Sequence, residues 1–264
     1  AGALHTLGVS TGDRVGILSL NSDRYSEYLL ATPWAGAVLN PINIRWSAAE
    51  IAYSLRDSDT RALLIDDTFL PLLPELRSQV PDLAHVIHCG DGDAPEGLLS
   101  YEELVAASDP VPDAHRCGSD LAGLFYTGGT SGHPKGVMLT HDNLMTSALG
   151  CLASGLFLTS GGPLLHAAPM FHLADLAIWT AQVCRGAVRM SSSRHSGLTG
   201  CSKRCSSTGS PIYCWCRRWC RCWSTIRPCP LTTAAVCGPC CTAVRRSRPR
   251  CWSGRRSGCR RRSS

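Results

Sequence analysis

Short apolar runs alternate, along the first part of the chain, with stretches in which apolar residues recur at helical spacing. The runs have the length and the β-branched content of buried strands, and they lie at residues 14–20, 61–65, 84–88 and 121–126. The helical spacing is seen at Tyr25, Tyr28, Leu29 and Trp34. This alternation of strand and helix predicts an α/β fold in which helices surround a mainly parallel sheet.

The positions before the predicted helices carry side chains that can cap a helix. Asn21-Ser22-Asp23 precedes the first of these helices. Ser47 and Glu50, and again Ser100 and Glu103, have the spacing of a capping box, in which each side chain bonds a backbone amide of the other residue. We therefore expect helices that begin directly after these caps.

One segment, directly after the apolar run that ends at Tyr126, has residue types that require a chemical explanation. It consists of Thr127, Gly128, Gly129, Thr130, Ser131 and Gly132, followed by Pro134 and Lys135. Glycines allow positive φ angles and let an anion come close to the main chain. Inward-facing amides and hydroxyls form a concave donor surface, and a lysine adds a positive charge suited to phosphate oxygens. The segment therefore predicts a phosphate-binding loop.

This loop differs from the P-loop of many nucleotide-binding proteins. A P-loop has Gly directly before its Lys and Ser or Thr directly after it. Here Pro134 and Gly136 take the two positions. The alternative interpretation is a surface turn, rich in Gly, Ser and Thr, that binds nothing. The fixed order of residue types after a strand favours a phosphate-binding loop over such a turn.

The segment YTGGTSGHPKG, residues 126–136, resembles the signature loop of the AMP-forming adenylating superfamily, which includes acyl-CoA synthetases, peptide-synthetase adenylation domains and luciferases. Upstream, GVSTGDRVGILSLNS, AGAVLNPINIRWSAAEIAYSLRDS and RALLIDD are similar in content and order to the N-terminal domain of fatty-acyl-CoA synthetases. The resemblance implies that the loop holds the β- and γ-phosphates of ATP. Gly128 stands where the usual form of the loop has Ser, which removes one hydroxyl.

A second segment, APMFHLAD at residues 168–175, resembles the next motif of the same superfamily. We expect a strand from Leu164 to Met170 that delivers Phe171 and His172 at its end. The resemblance implies that these two side chains lie near the acyl substrate and the adenylate, with His172 as a partly buried, neutral hydrogen-bond partner. The alternative is a core histidine satisfied by a backbone carbonyl. His141, at the start of a predicted helix, is open between a surface position and a ligand contact.

The resemblance also implies an activity. The superfamily joins a carboxylic acid to ATP with release of pyrophosphate, and its acyl-CoA synthetases pass the acyl group to coenzyme A. ATP, Mg²⁺ and coenzyme A are therefore the implied cofactors, and a fatty acid is the implied substrate. Relatives carry a later Tyr-Gly-x-Thr-Glu segment whose acid helps hold the metal, an aspartate that binds the ribose, and a C-terminal domain with a lysine that reaches the adenylate. No acidic residue follows Asp175 here, so we expect an inactive fragment without a complete catalytic or metal site.

Charge and composition change abruptly near residue 190. Residues 1–190 hold all 20 acidic residues and 10 of the 26 basic residues, whereas residues 191–264 hold 16 basic residues and 12 of the 16 cysteines. The second stretch has only six Leu, Ile, Val, Met or Phe residues, too few to offset the entropy cost of ordering it. We therefore expect a partial AMP-binding domain at 1–190 and a disordered tail at 191–264, whose composition is that of a GC-rich coding region read out of frame.

Other functions for the tail have weaker support in the sequence. Its cysteines lack the regularly spaced pairs of a structural zinc site. Its arginines and four tryptophans could bind nucleic acid, but without sequence specificity. The alternative to a synthetase fragment is thus a nonenzymatic, Arg/Cys-rich cationic binding protein with a vestigial nucleotide-binding head. The absence of a signal segment and of an apolar run long enough to span a bilayer, together with four scattered cysteines before residue 191, predicts a cytoplasmic location.

Overall fold

Seven strands form the larger of two sheets in the part of the chain that the structure describes. The structure is a computed structural model, and it describes residues 1–128, 132–154, 164–184, 190–192 and 212–213. The strands are β1 (Arg14–Leu18), β2 (Val38–Pro41), β3 (Thr60–Ile65), β4 (His85–His88), β5 (Leu99–Ser100), β6 (Leu121–Thr127) and β7 (Lys135–Thr140). Their spatial order is β5-β4-β3-β1-β2-β6-β7, and every neighbouring pair is parallel except β6 and β7. The predicted mainly parallel α/β fold is therefore confirmed.

Strand β1 lies inside this sheet and is covered on both faces. Val15 pairs with Leu39 of β2 on one side and with Ala62 of β3 on the other. Val15 and Ile17 belong to one buried cluster, whereas Leu18 belongs to a second cluster on the other face. Alternate residues of a strand point to opposite faces, so a strand buried on both faces must be apolar throughout. This is why residues 15–18 of the sequence, VGIL, are apolar at every position.

Helices surround the sheet, as the alternating pattern predicts. They are α1 (Gly2–Thr6), α2 (Asp23–Trp34), α3 (Ala48–Asp57), a 3₁₀ turn (Leu70–Leu72), α4 (Leu73–Gln79), α5 (Tyr101–Ala106), α6 (His141–Ser154) and α7 (Leu173–Cys184). Within the described residues, no helix combines the length and the apolar content that crossing a membrane requires.

The predicted caps form at the helix starts, although Ser100 and Glu103 make only the bond from the Glu103 amide to Ser100 Oγ, at 3.3 Å, and not the full capping box. Ser22 accepts a hydrogen bond from the amide of Tyr25 at 3.1 Å. Ser47 and Glu50 form the complete capping box, with the Glu50 amide 3.4 Å from Ser47 Oγ and the Ser47 amide 2.9 Å from Glu50 Oε2. Trp34, which shares the helical spacing of the buried residues in α2, is 48% exposed because it lies at the end of that helix.

A smaller, parallel sheet is formed by β8 (Leu164–His166), β9 (Met190–Ser192) and β10 (Ile212–Tyr213), with β8 in the middle. Strand β8 ends at His166, so it is shorter than the strand that we expected to reach Met170. The two partner strands come from the sequence at and beyond residue 190. The rest of the tail lies outside the described residues, and both its lack of a packed core and the division of the chain at residue 190 stay predictions.

Candidate functional site

The predicted phosphate loop connects β6 to β7. These two strands form an antiparallel hairpin in which Thr127 is the partner of Lys135 and Tyr126 is the partner of Gly136. Thr127 and Lys135 are exposed to solvent. Directly opposed residues of an antiparallel pair lie about 5 Å apart between their Cβ atoms. The hairpin therefore places the side chains of Thr127 and Lys135 side by side on one face at the base of the loop, where both are open to solvent.

The two loop glycines that the structure describes have different backbone demands. Gly132 has a φ of +95°, which a residue with a side chain adopts only with strain. Gly128 is not among the described residues with positive φ, and a Cβ added there would meet nothing within 4 Å. A serine at position 128, as in the usual form of the loop, would therefore fit. Gly129, Thr130 and Ser131 lie outside the described residues, so their assignment to phosphate binding stays a prediction.

The end of β6 forms the stem before the loop, and its residue Tyr126 is held by two contacts. Its hydroxyl donates a hydrogen bond to Asp57 Oδ2 of α3 at 2.6 Å, and its ring makes an edge-to-face contact with Trp46, with centroids 6.2 Å apart. Burial, and next the hydrogen bond to the Asp57 carboxylate, raise the pKa of Tyr126 far above its ordinary value, so the hydroxyl keeps its proton. A Cβ at Gly136 would lie 3.0 Å from the tyrosine ring. The motif glycine after Lys135 thus makes room for Tyr126.

His133 and Pro134, between the loop and β7, form the stem after the loop, which also contacts α3. The ring of His133 stacks on the ring of Tyr53 in α3, with centroids 4.5 Å apart and planes 11° from parallel. Pro134, the next residue, is buried. The Tyr53 hydroxyl lies 3.5 Å from Asp57 Oδ1, so the two residues that contact the loop stems are themselves linked. Sequence reasoning missed Tyr53 and Asp57, because nothing in the spacing within α3 indicates what the helix packs against.

The structure places Phe171 and His172 in the turn that precedes α7, not at the end of a strand. The two rings are in edge-to-face contact with centroids 6.3 Å apart. Phe171 is half-buried and packs against the core cluster that also contains Phe125 of β6. His172 is exposed, so the expectation of a partly buried imidazole is wrong. Its Nδ1 accepts a hydrogen bond from the Ala174 amide at 3.1 Å, which leaves Nε2 as the ring nitrogen available to a ligand.

The buried histidine of this region is His166. Its Nδ1 lies 2.9 Å from Asp175 Oδ2 and its Nε2 lies 2.9 Å from Gln182 Oε1. Because both partner atoms are acceptors, both ring nitrogens donate when the ring is protonated. Burial lowers the pKa of His166, but the hydrogen bond and charge of Asp175 more than offset this and raise the pKa above its ordinary value. Nothing in the sequence pattern indicated that His166 and Asp175 form a pair.

Asn21 ties this region to the large sheet. Its Nδ2 donates to the carbonyl oxygens of His166, at 3.2 Å, and Ala168, at 2.7 Å. Its Oδ1 accepts from the amide of Met170 at 2.8 Å. The residues that lead into Phe171 are thus held by a side chain three residues beyond the end of β1. Sequence reasoning treated Asn21 only as part of a helix cap.

His141 is the first residue of α6 and is half-buried. Its backbone amide donates to the carbonyl oxygen of Asp120 at 3.1 Å. Burial lowers the pKa of His141, because the charged imidazolium loses contact with water. The residue is therefore better described as part of the support beneath the hairpin than as an exposed surface histidine. A ligand contact at this position stays open.

Mg²⁺ is the metal that the resemblance implies. Among the described residues, no group of three or more His, Cys, Asp or Glu side chains could hold a metal ion. Asp57 is the carboxylate that contacts the loop stem, and one of its oxygens is committed to Tyr126. We assign no ligand to the metal among the described residues.

A glycine-rich hairpin loop with a lysine at its base, on the edge of a mainly parallel α/β sheet, defines a class of nucleotide-binding proteins. The chain belongs to the family of AMP-binding enzymes, whose sequence pattern matches residues 1–202. The match includes both candidate segments, the loop and the Phe171–His172 pair. The family predicted from the loop motif is therefore confirmed.

Several known proteins share this similarity. A long-chain-fatty-acid–CoA ligase of Thermus thermophilus is 40% identical over 176 residues, which cover 65% of this chain and 31% of the ligase. The inhibitor-bound N-terminal domain of FACL13 from Mycobacterium tuberculosis superposes with a TM-score of 0.69 and 28% identity, over 79% of this chain and 51% of that domain. The anthranilate-CoA ligase AuaEII, in complex with anthranoyl-AMP, has a TM-score of 0.67 and 27% identity, over 78% of this chain and 40% of its own. The chain thus spans less than two thirds of the length of the relatives that it matches.

Proposed function

We propose that this sequence is the phosphate-binding part of an AMP-forming acyl-CoA synthetase that activates a fatty acid with ATP and transfers the acyl group to coenzyme A. The observation that carries the proposal is the pairing of Thr127 with Lys135 at the base of a Gly/Thr/Ser loop. Similarity to a long-chain-fatty-acid–CoA ligase and to a ligase solved with an acyl-adenylate supports the choice of reaction.

In this proposal the loop binds the part of ATP that leaves. A carboxylate oxygen of the fatty acid attacks the α-phosphorus, and the bond from that phosphorus to the bridging oxygen breaks, so pyrophosphate departs with the electron pair. The thiol sulfur of coenzyme A then attacks the acyl carbonyl carbon, and AMP leaves. The backbone amides of residues 128–132, the hydroxyls of Thr127, Thr130 and Ser131, and the ammonium group of Lys135 hold the β- and γ-phosphates. They stabilise the charge that develops on the leaving pyrophosphate.

His172 has a defined role in the same proposal. Since its Nδ1 accepts the Ala174 amide, the proton of the neutral ring sits on Nε2. Nε2–H then donates a hydrogen bond to an oxygen of the carboxylate or of the adenylate. Phe171, whose ring lies beside the imidazole, forms an apolar wall toward the acyl group. Mg²⁺, when bound to the phosphates of ATP, supplies charge neutralisation.

The chain itself is not expected to complete the reaction. Near-attack alignment of carboxylate and α-phosphate can be worth roughly 7 to 11 kcal/mol. The loop holds only one end of the nucleotide, and none of the residues that the structure describes is shown to align the carboxylate with the α-phosphate. Binding without turnover is therefore the activity that we propose for this chain.

Titration of the purified chain with tripolyphosphate tests the proposal. Because the tail carries 16 basic residues, it binds anions nonspecifically, and the control must leave this charge unchanged. The chain has two lysines, Lys135 in the hairpin and Lys203 in the tail, and each can be replaced by alanine. We expect affinity near the millimolar range, about −4 kcal/mol, that falls roughly tenfold in Lys135→Ala and little in Lys203→Ala. Equal losses in both variants would favour a nonspecific cationic binding protein instead.

A further inference from the structure

Helix α3 contacts both stems of the phosphate loop, at Tyr126 before the loop and at His133 after it. We propose that Tyr53 and Asp57 of this helix are positioning residues of the ATP site, which hold the two stems of the loop at a fixed separation. The inference rests on the proposed function of the loop. It assigns a part in nucleotide binding to two residues that lie outside the sequence motif.

The contact with the first stem is a hydrogen bond from Tyr126 to Asp57. The Tyr126 hydroxyl and Asp57 Oδ2 are 2.6 Å apart. The tyrosine ring contacts Trp46 edge to face, and it lies so close to Gly136 that a Cβ there would come within 3.0 Å of it. Tyr126 directly precedes Thr127, the first residue of the loop. A shift of the backbone at Tyr126 would break this hydrogen bond and the contact with Trp46, so the two contacts restrain the chain that leads into Thr127. Asp57 therefore sets the direction in which the chain enters the loop.

The contact with the second stem is the stack of His133 on Tyr53. The rings are nearly parallel with centroids 4.5 Å apart, so the imidazole lies flat on the phenol ring. His133 follows Gly132, whose backbone has the left-handed conformation, and it precedes Lys135 by two residues. The stack therefore holds His133 in place, and with it the backbone that leads to Lys135 two residues later.

The spacing of the two residues in α3 makes them a single unit. Tyr53 and Asp57 are four positions apart, so they lie on one face of the helix, and the Tyr53 hydroxyl lies 3.5 Å from Asp57 Oδ1. The opposite face of α3 is buried through Ile51 and Leu55, both 0% exposed. A buried, capped helix does not yield when the loop moves. It is thus a rigid support for the two stems of the loop, at Tyr126 and at His133.

This support lowers the entropy cost of binding. Glycines such as Gly128 and Gly132 lose more backbone freedom on ordering than other residues do. A polyphosphate that must order the loop loses affinity by the cost of that ordering. Contacts at both stems restrict the loop before the ligand arrives. Removal of either contact should therefore weaken phosphate binding without any loss of a group that touches phosphate.

Because Asp57 is negatively charged, a positioning role and an electrostatic role predict opposite changes in phosphate affinity when it is replaced by alanine. A carboxylate close to a phosphate site repels the ligand, so its removal would by charge alone strengthen binding. Asp57→Ala removes both the charge and the acceptor of the Tyr126 hydroxyl. Asp57→Asn removes the charge and keeps an acceptor oxygen. Positioning predicts weaker binding in Asp57→Ala and equal or stronger binding in Asp57→Asn, whereas a purely electrostatic role predicts stronger binding in both.

The experiment uses the whole chain, titrated with tripolyphosphate by calorimetry. Tyr126→Phe and Tyr53→Ala should each weaken binding by roughly two- to tenfold, the range expected for one aromatic or hydrogen-bonded contact. Tyr53→Phe keeps the stacked ring and removes only the hydroxyl, so it should bind tripolyphosphate more tightly than Tyr53→Ala. His133→Ala should match Tyr53→Ala, and the double variant should lose no more than either single one, since both remove the same contact. Urea unfolding midpoints that match the midpoint of the original chain exclude a general loss of structure.

The binding results distinguish a failure of the proposed function from a failure of the positioning role of α3. Unchanged binding in Lys135→Ala would overturn the phosphate loop and with it the proposed function. Weaker binding in Lys135→Ala together with unchanged binding in Tyr53→Ala and Tyr126→Phe would overturn only the positioning role of α3. Additive losses in the Tyr53 and His133 variants would show that the two residues act independently, and would also contradict the proposal.

Discussion

Asp175 and His166 form a buried ion pair, with Oδ2 and Nδ1 2.9 Å apart and both side chains less than 5% exposed. The pair joins the first turn of α7 to the last residue of β8. The carboxylate and the imidazolium are each costly to bury alone, so loss of one partner leaves an uncompensated charge or an unpaired donor. The turn that carries Phe171 and His172 lies between these two residues in sequence. The pair therefore closes a short segment on which both candidate adenylate contacts depend.

Stability should fall as the pH rises through the titration of this pair. The folded state raises the pKa of His166 above its ordinary value of 6.5. A raised pKa contributes stability that is fully present below the unfolded value and is lost as the pH passes the folded value. We therefore expect urea unfolding to show a decrease in the free energy of unfolding from about pH 6.5 upward. Measurement across this range in the original chain and in Asp175→Asn should show the decrease only in the original chain.

The same substitution has a matched surface control. Asp175→Asn should lower the free energy of unfolding at pH 6 by about 3 kcal/mol, because it breaks a buried pair. Asp113 forms a long, exposed contact with His115, whose side chain is 87% exposed. Asp113→Asn should change stability by less than about 0.5 kcal/mol. Equal effects of the two substitutions would contradict the buried-pair interpretation.

The two described loop glycines should respond differently to substitution. Gly132→Ala should cost about 1 kcal/mol, since an L side chain at a φ of +95° is strained. Gly128→Ser meets open space and should leave stability unchanged. It also restores the hydroxyl of the usual loop, so tripolyphosphate should bind at least as tightly as in the original chain. Chemical denaturation and calorimetry measure these two quantities, and weaker binding by Gly128→Ser would count against the hydroxyl as a phosphate contact.

The chain should show no adenylation activity. Purified protein would be incubated with ATP, Mg²⁺, fatty acids of several lengths and coenzyme A, and pyrophosphate release would be followed. The rate of pyrophosphate release should equal that of Lys135→Ala, because binding of the phosphates does not by itself align the carboxylate with the α-phosphorus. Release above this control, dependent on the added fatty acid, would refute the proposal that the chain binds without turnover.

Limited proteolysis should separate the two parts of the chain. Trypsin cleaves after Arg and Lys, and the stretch 191–264 has 16 such residues and few aliphatic ones. We expect rapid cleavage there and a resistant product that contains the seven-stranded sheet. Mass spectrometry identifies the boundary. Survival of an intact tail under conditions that cleave an unfolded reference protein would contradict the predicted lack of a packed core.

The out-of-frame origin of the tail is tested at the level of DNA. The coding sequence after residue 190 can be translated in the two other frames. A frame with aliphatic and acidic composition that restores a Tyr-Gly-x-Thr-Glu segment would support the interpretation. A continuous reading of the present frame in independent clones, without such a segment in either alternative, would contradict it.

Local features of this protein could be predicted from its sequence. The capping box of Ser47 and Glu50, the buried run of β1 and the mainly parallel sheet all follow from interactions between residues fewer than five positions apart or from burial on two faces. The loop motif likewise defined the family, because glycines, hydroxyls and a lysine in a fixed order serve one chemistry. These properties are encoded in short windows of sequence.

Tertiary structure alone decided which side chains support the site. Strand β7 was not expected, since its residues are exposed and lack a buried pattern, and it forms because β6 offers an open edge for antiparallel pairing. The contact between Asp57 and Tyr126 joins residues 69 positions apart, and that between Asn21 and Ala168 joins residues 147 positions apart. Such contacts depend on the order of strands in the sheet and on the face that each helix presents. A one-dimensional pattern fixes neither, because both result from the packing of the whole domain.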